Sequence, residues 1–206
     1  MVVLTDVGKR FGKSQIFAGV DLKVDASKPT VIMGKNGCGK TTLLKVAAGI
    51  LQHSSGKVAR LVGAKTAYVP DRFPKIPFKA GEYLTHMGEI QGLPRDFINR
   101  QIDSHFESFG IPNDIKDRKI AKCSKGTIQK INIIQAFLTK QDLVVLDEPF
   151  SGLDEESIAA LIGLLTKMSE YGTAILLSCH DKELARQITD RVLLLDGEGL
   201  QNAIFN

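Results

Sequence analysis

Apolar residues recur along the chain with two different periods, which predict short strands and amphipathic helices. Residues 2–11 and 15–24 are rich in β-branched side chains and are separated by a Gly-Lys turn, which predicts two paired antiparallel strands. Shorter apolar segments predict further strands, and a hairpin is predicted near the end of the chain. The further strands lie at 29–34, 56–59, 67–69, 142–149 and 173–181, and the hairpin at 190–205.

Helical spacing, with apolar residues three and four positions apart, predicts the other elements. It begins at Lys40, covers Glu155 to Met168 with one apolar stripe, and predicts a short helix over 181–190. Between 70 and 123 the chain is punctuated by prolines and carries helical patterns, such as the apolar face within 94–111. We interpret the region from about 72 to 138 as a helical subdomain inserted into a single domain over 1–206.

Strands that alternate with helices predict the α/β class with a mainly parallel sheet, here preceded by an N-terminal antiparallel β-subdomain. A chain of 206 residues is long enough to bury a core as one domain. The net charge of +4 is mild and the basic residues are scattered, so no nucleic-acid partner is expected. No signal-peptide pattern and no apolar run long enough to span a membrane are found, so any membrane role would need a partner.

The three cysteines are far apart in the sequence and form no Cys-x-x-Cys pair. An odd number at such spacing argues against a disulfide framework and against a zinc site, and favours a reducing compartment. The cysteines are Cys38, Cys123 and Cys179.

A glycine-rich segment that fits G-x-x-x-x-G-K-[ST] follows one predicted strand and opens a predicted helix. Backbone N–H groups of such a loop bind phosphate oxygens, and the helix N-terminus adds a favourable dipole. Lys40 is expected to reach the β- and γ-phosphates of ATP, and the Thr41 hydroxyl to ligate Mg²⁺. The nucleotide-binding residues predicted here are Gly34, Lys35, Asn36, Gly37, Cys38, Gly39, Lys40, Thr41 and Thr42.

Two carboxylates end the apolar strand predicted at 142–149. Asp147 is expected to hold Mg²⁺, and Glu148 to act as the general base on the attacking water. The alternative is that the pair only caps the following turn. Together with the glycine-rich loop, the pair predicts a P-loop NTPase core.

Three further segments narrow the class. A Ser-Lys-Gly-Thr segment opens a helix at Ser124, Ser-Gly-Leu-Asp covers 151–154, and His180 ends a predicted strand. In this order and spacing, the set resembles the ATP-binding-cassette (ABC) transporter family across nearly the whole chain.

The resemblance implies a role for each matching residue. Ser124, Lys125, Gly126 and Thr127 match the signature motif, which clamps the γ-phosphate of ATP bound to the opposite subunit. Residues 151–154, which end at Asp154, match the D-loop at the dimer interface, His180 matches the switch histidine, and Phe11 matches the aromatic residue that stacks on adenine. Each also has a structural interpretation: helix caps for Ser124 and Asp154, a turn residue for His180, and a core residue for Phe11.

Two departures from the family pattern stand out. Cys123, Lys125 and Thr127 replace the usual residues of the signature, giving a Ser-Lys-Gly variant that resembles cassettes serving small exporter-type permeases. Asp71 occupies the position of the family's Q-loop glutamine, where it is either a further Mg²⁺ ligand or a solvent-facing turn residue.

The resemblance implies an ATP-hydrolysing subunit that uses ATP and Mg²⁺. It would act as a homodimer, or as a heterodimer with a related ATPase subunit, at the cytoplasmic face of a membrane. A separately encoded permease would be its partner. The alternative is a soluble ABC-type ATPase that acts on nucleic acid or ribosomes. Relatives that act on DNA insert very long coiled coils between the P-loop and the signature, and none fits between Thr42 and Ser124. Relatives that act in translation usually carry two cassettes, whereas one set of motifs is found here, which favours the transporter.

Overall fold

The computed structural model describes residues 1–74, 76–196 and 199–203. The α/β class predicted from the sequence is confirmed, with an antiparallel N-terminal sheet and a mainly parallel second sheet. The elements in chain order are β1 (Val2–Phe11), β2 (Ser14–Val24), β3 (Thr30–Met33), α1 (Lys40–Ala48), β4 (Ser55–Arg60), β5 (Thr66–Val69), α2 (Ala80–Ile90), α3 (Arg95–Ser108), α4 (Lys125–Phe137), β6 (Leu143–Leu146), α5 (Glu155–Glu170), β7 (Ala174–Ser178), α6 (Lys182–Ile188), β8 (Val192–Asp196) and β9 (Gly199–Asn202). Two short 3₁₀ turns, Asn113–Asp117 and Ile120–Lys122, precede α4.

The chain divides into two compact units. The first comprises Met1–Tyr68, Gln141–Glu148 and the described residues of Leu165–Asn206. The second comprises Val69–Lys140 and Pro149–Leu164, and so contains α2, α3 and α4.

The first unit holds both sheets. Within the described residues, the antiparallel sheet has the order β2-β1-β4, and the larger sheet has the order β5-β6-β7-β3-β8-β9. Strands β6, β7, β3 and β8 run parallel to one another, and β9 pairs antiparallel with β8. The closing hairpin is thereby confirmed for its strands, while residues 197, 198, 204 and 205 of the predicted span lie outside the described residues.

Apolar side chains from both sheets and from α1 form the core of the first unit. Leu43, Leu44, Val46 and Ala47 of α1 are all fully buried, as the three- and four-residue spacing predicts. Since parallel strands carry their side chains into core on both faces, β3, β6 and β7 are buried along their whole length.

In the second unit, α3 buries Ile98, Ile102 and Phe106, which lie on the face predicted from the sequence. Gly88 of α2 allows a close approach, because a Cβ there would lie 2.6 Å from Ile98 Cγ1. Among the described residues, no helix is long and apolar enough to cross a membrane.

Candidate active site

The glycine-rich loop connects the end of β3 to the start of α1 in the first unit. Gly34 and Gly39 have φ values of 150° and 108°, in the range that favours glycine. A Cβ on Gly34 would lie 2.5 Å from Leu195 O, and one on Gly39 would lie 2.7 Å from Ile16 Cγ2. Only glycine therefore fits at these two positions of the loop.

The other predicted loop residues surround this backbone. The N–H of Cys38 donates to Lys35 O at 3.2 Å and closes the turn. Lys35, Asn36 and Gly37 are exposed, whereas Thr41 and Thr42 lie in the first turn of α1. The loop thus presents its backbone N–H groups at the N-terminus of α1, which is the arrangement that binds phosphate.

Lys40 extends across the loop. Its Nζ donates to Gly34 O at 2.8 Å and to Lys35 O at 3.4 Å, and lies 3.8 Å from Glu148 Oε1. The side chain is only 8% exposed. The ammonium group therefore lies between the loop and the proposed general base, where it can neutralise phosphate charge.

The two carboxylates directly follow β6. Asp147 is buried, and its Oδ1 accepts a hydrogen bond from Ser178 Oγ at 2.8 Å, while the Tyr68 hydroxyl lies 3.5 Å from its Oδ2. Glu148 has a φ of 47°, and its backbone N–H donates to the same Ser178 oxygen at 2.8 Å. The Ser178 hydroxyl thus connects the two carboxylate residues.

His180 is hydrogen-bonded to the predicted base. Its Nδ1 lies 2.8 Å from Glu148 Oε2, so this nitrogen carries the proton when the carboxylate is ionised. The imidazole is 69% exposed, whereas the Glu148 side chain is 20% exposed. Lys40, Glu148 and His180 are therefore brought together by direct contacts within the first unit.

Cys179, next to His180, is not poised for nucleophilic chemistry. Burial raises the pKa of its thiol to about 11, and Sγ donates to Asp181 O at 3.3 Å. Because the thiolate is the reactive form, this raised pKa disfavours nucleophilic chemistry at the side chain.

Phe11, predicted to stack on adenine, ends β1 in the first unit. Its side chain is not a core residue, since the residue is 51% exposed. Lys9 Nζ lies 4.7 Å from the centroid of the ring and also donates to Gln52 O at 2.7 Å. The cation restrains the aromatic ring at the surface of the unit.

The signature-like segment lies in the second unit, at the start of α4. Ser124 is the N-cap, and its Oγ accepts from the backbone N–H of Thr127 at 3.1 Å and lies 2.8 Å from Thr127 Oγ1. Lys125 Nζ donates to Ser151 Oγ at 3.3 Å. A Cβ on Gly126 would lie 2.7 Å from the Gly152 carbonyl oxygen, so this glycine lets the two segments approach closely.

Asp154 belongs to the same surface of the second unit. Its carboxylate accepts from the Ser157 N–H at 2.9 Å and from the Ser157 hydroxyl at 2.5 Å, and lies 3.0 Å from Lys130 Nζ. These partners, Ser157 first, hold the pKa of Asp154 far below its ordinary value. Lys130 also donates to Phe109 O at 2.9 Å. A cavity of about 460 Å³ opens beside these residues, lined by Ser124, Gly126, Thr127, Lys130, Gly152, Leu153 and Asp154.

Amide side chains on α4 form a hydrogen-bonded row, here called the amide ladder and defined as Gln129, Asn132 and Gln135. Gln129 Nε2 donates to Pro149 O at 3.1 Å, and Asn132 Nδ2 donates to Pro70 O at 2.8 Å. Asn132 Nδ2 also lies 3.2 Å from Gln129 Oε1, and Gln135 Nε2 donates to Asn132 Oδ1 at 3.0 Å. The ladder therefore holds the carbonyl groups of Pro149, which follows Glu148, and of Pro70, which precedes Asp71.

Asp71 lies in a bend after β5, in the second unit. Its side chain is 43% exposed, and its Oδ2 lies 3.8 Å from Arg72 Nε. This geometry is that of an accessible loop carboxylate with a weak ion pair.

Sequence reasoning missed Ser178, Lys130 and the amide ladder. Ser178 left a signal, because it is a lone hydroxyl in an otherwise apolar strand. The lysine and the amides left none, since polar residues on a predicted helix are normally taken as solvent-exposed.

A glycine-rich loop between a strand and a helix, with its lysine against a carboxylate that ends another strand of the sheet, defines a P-loop nucleotide hydrolase. Residues 17–151 match the family model described as "ABC transporter". The chain belongs to this family, as an ATP-binding subunit that hydrolyses ATP.

Curated relatives of the same family align with most of this chain. The "Zinc import ATP-binding protein ZnuC" of Cereibacter sphaeroides is 35% identical over 191 residues, covering 91% of this chain and 75% of the relative. The "Uncharacterized ABC transporter ATP-binding protein MJ1023" of Methanocaldococcus jannaschii is 33% identical, covering 94% and 73%.

Solved structures agree with the fold. A structure described as the ATP-binding subunit of an ABC transporter has a TM-score of 0.87 at 25% identity, covering 97% of this chain and 88% of that one. The ATP-binding cassette MJ0796, solved as a dimer with ADP and Pi, has a TM-score of 0.86 at 20% identity and full coverage of both chains. At that identity the second likeness shows the fold alone.

Proposed function

We propose that ATP is hydrolysed at the cluster of Lys40, Glu148 and His180, and that the ATP is sandwiched between two copies of the subunit. Closure of the two copies on ATP, and their reopening after hydrolysis, would drive a separately encoded permease. The observation that supports the hydrolytic assignment best is the Glu148 carboxylate, which contacts His180 at 2.8 Å and lies 3.8 Å from Lys40.

In the proposed reaction, Glu148 accepts a proton from water while the water oxygen attacks the γ-phosphorus. The bond from that phosphorus to the bridging oxygen of ADP breaks, which releases phosphate. Lys40 would exchange its contacts with Gly34 O and Lys35 O for the β- and γ-phosphate oxygens. His180 would hold the Glu148 carboxylate while its exposed ring edge contacts the γ-phosphate.

Mg²⁺ is the metal that this reaction implies, and the oxygen donors present fit it. Asp147 is only 2% exposed, and it forms no ion pair within the described part of the chain. A buried carboxylate normally needs a cationic partner or a metal. Asp147 and Thr41 would hold the ion, and when bound it would neutralise charge on the β- and γ-phosphates.

The cation would be held largely by phosphate and water oxygens, as is usual for Mg²⁺. In the described residues, no group of three or more His, Cys, Asp or Glu side chains could hold a metal. Asp71 is the additional ligand that we propose, either directly or through water, since it stands where the family has a glutamine.

The adenine contact is assigned to Phe11 and the trans contacts to the signature segment. The half-exposed Phe11 ring is available for stacking on a base. Ser124, Lys125, Gly126, Thr127 and Asp154 would serve the ATP of the opposite copy. Their cavity offers N–H groups at the start of α4 beside the Lys130 ammonium group. Capping by Ser124 is compatible with this role, because its Oγ accepts from the Thr127 N–H through a lone pair while its O–H can donate to a phosphate oxygen. The capping carboxylate of Asp154 can only accept, and it would do so from a donor of the opposite copy.

The partner that we propose is a permease in the membrane, with this subunit bound at its cytoplasmic face. The relatives named above are described as transporter ATP-binding proteins, which favours transport over a role on nucleic acid or ribosomes. The Ser-Lys-Gly form of the signature is the feature that resembles exporter-type cassettes.

Glu148→Gln tests the proposal. The amide keeps the shape of the side chain but cannot accept the proton, so the variant should bind ATP and hardly hydrolyse it. With reopening blocked, ATP should hold two copies together, and size-exclusion chromatography with and without ATP and Mg²⁺ measures this. Lys40→Ala is the matched control, because it should neither hydrolyse ATP nor dimerise. An ATP-bound Glu148→Gln variant that stays monomeric at high protein concentration would contradict the sandwich.

A further inference from the structure

The Ser178 hydroxyl, at the end of β7, contacts both residues of the carboxylate pair. It is fully buried, and its oxygen lies 2.8 Å from Asp147 Oδ1 and 2.8 Å from the backbone nitrogen of Glu148. The carboxylate can only accept a hydrogen bond and the amide can only donate one. The hydroxyl is therefore oriented in one way, donating to Asp147 and accepting from Glu148.

We propose that Ser178 is a positioning residue for ATP hydrolysis, which holds the proposed Mg²⁺ ligand and the proposed general base in a fixed relative geometry. This inference rests on the roles assigned above to Asp147 and Glu148. Neither the signature of the family nor any motif in the sequence assigns a role to this serine.

Glu148 needs such support because of its backbone. Its φ of 47° lies in the left-handed region, which is unfavourable for a residue with a Cβ. The N–H of this strained residue points to Ser178 Oγ, while the carboxylate of the same residue contacts His180. Ser178 thus fixes the backbone of Glu148, and His180 fixes the side-chain carboxylate of the same residue.

Asp147 benefits from the same hydroxyl in a different way. A neutral donor at Oδ1 fixes the carboxylate rotamer without neutralising its charge, whereas a lysine there would form an ion pair. The charge and the remaining lone pairs stay available for a cation. Removal of the hydroxyl would deprive Asp147 Oδ1 of its 2.8 Å hydrogen bond and would leave the partly buried Glu148 N–H without its acceptor.

The register of the sheet explains why this residue can perform both tasks. Leu146 of β6 pairs with Leu177 of β7 in parallel register, so the next residues of both strands, Asp147 and Ser178, lie side by side. The Glu148 N–H donates to the hydroxyl of the same serine. The Ser178 hydroxyl therefore lies within hydrogen-bond distance of both groups.

The test is a series of substitutions in the full-length chain: Ser178→Ala, Ser178→Cys and Ser178→Thr. Thr30→Val is the matched control, because Thr30 Oγ1 is a buried hydroxyl of the neighbouring strand β3 with no hydrogen-bond partner among the described residues. The kcat and KM of ATP hydrolysis are measured against Mg²⁺ concentration. The affinity for a fluorescent ATP analogue is titrated with Mg²⁺, and thermal midpoints are recorded without nucleotide.

Ser178→Ala should lower kcat by up to about 100-fold, the cost of a misplaced catalytic group, with KM changed little. Its half-saturating Mg²⁺ concentration for analogue binding should rise. Ser178→Thr keeps the hydroxyl and should recover most of kcat, whereas Ser178→Cys keeps the volume with a weak donor and should not. Thr30→Val should leave kcat, KM and the Mg²⁺ dependence unchanged.

Two results would overturn the inference. One is a Ser178→Ala variant with kcat within twofold of the parent. The other is a Ser178→Cys variant that folds with the parent's thermal midpoint and keeps the parent's kcat. Glu148→Gln in the same assay separates the two proposals. If it hydrolyses ATP normally, the assignment of the base is wrong; if it is inactive while Ser178→Ala is active, only the role of Ser178 is wrong.

Discussion

Replacement of Asn132 by leucine should destabilise the protein strongly, although the residue carries no charge and lies in the middle of a helix. Asn132 is completely buried. Its amide donates to Pro70 O at 2.8 Å, lies 3.2 Å from Gln129 Oε1, and accepts from Gln135 at 3.0 Å. Leucine has the same number of side-chain heavy atoms and is a better helix former, so propensity alone predicts a small gain.

The expected loss follows from these three hydrogen bonds. A buried hydrogen bond contributes about 1 kcal/mol net, and partners left without a bond add to the penalty, so the variant should lose about 3 kcal/mol. That is a large share of the 5–15 kcal/mol that stabilises a typical domain. Because Asn132 holds the carbonyl before Asp71, the segment around Asp71 should also become more accessible to proteases.

Urea unfolding followed by far-UV circular dichroism measures the loss. Asn99→Leu is the matched control, since Asn99 is an exposed residue within α3 of the same unit. That variant should change the free energy of unfolding by less than about 0.5 kcal/mol. Equal unfolding free energies for Asn132→Leu and Asn99→Leu would refute the structural role of the amide ladder.

His105 lies in α3 of the second unit and is largely buried. Burial holds the pKa of His105 below its ordinary value of 6.5, so the unfolded chain binds a proton that the native state does not. The free energy of unfolding should therefore fall by up to about 1.4 kcal/mol for each pH unit below that value. Urea unfolding at several pH values measures this fall, which the His105→Gln variant should not show. Phe11→Ala should raise the half-saturating ATP concentration about tenfold, whereas Phe11→Tyr should not, because stacking on a base needs only the ring. Asp71→Gln should weaken the Mg²⁺ dependence of ATP binding, and curves superimposable on those of the parent chain would leave Asp71 as a loop residue.

The helices, the strands and the glycine-rich loop could be predicted because each depends on residues that are close together in the sequence. Loop glycines are encoded in residue type and spacing, and Gly34 and Gly39 show backbone angles that follow from that pattern. The burial of α1 and of strands β3, β6 and β7 likewise follows from the spacing of apolar residues within each segment.

The contacts that support the site could not be predicted, because they depend on register and rotation. Ser178 meets Asp147 only through the pairing of β6 with β7, across 31 positions of the chain. Lys130 meets Asp154 only because α4 turns that face toward the start of α5. Local strain also escaped prediction: the alternation in β1 breaks at Asp6, which has a φ of 51° and lies within an irregular stretch of the pairing.

Ser124 and Asp154 both form the helix-capping hydrogen bonds that their structural interpretation describes. A role at the ATP of the opposite copy remains a proposal for both residues. Capping fixes the side-chain oxygens in place, so the two interpretations do not compete.

The central claim is that each ATP is hydrolysed by the Glu148 of one copy with the help of Ser124 from the other, and mixing two inactive variants tests it directly. Ser124→Arg and Glu148→Gln should each be nearly inactive alone. In a mixed dimer, one site combines the intact Glu148 of the first variant with the intact Ser124 of the second. An equimolar mixture should therefore recover up to about a quarter of the parent's ATPase rate, since half of the dimers are mixed and each has one intact site. A mixture no more active than the two separate variants would contradict the shared site.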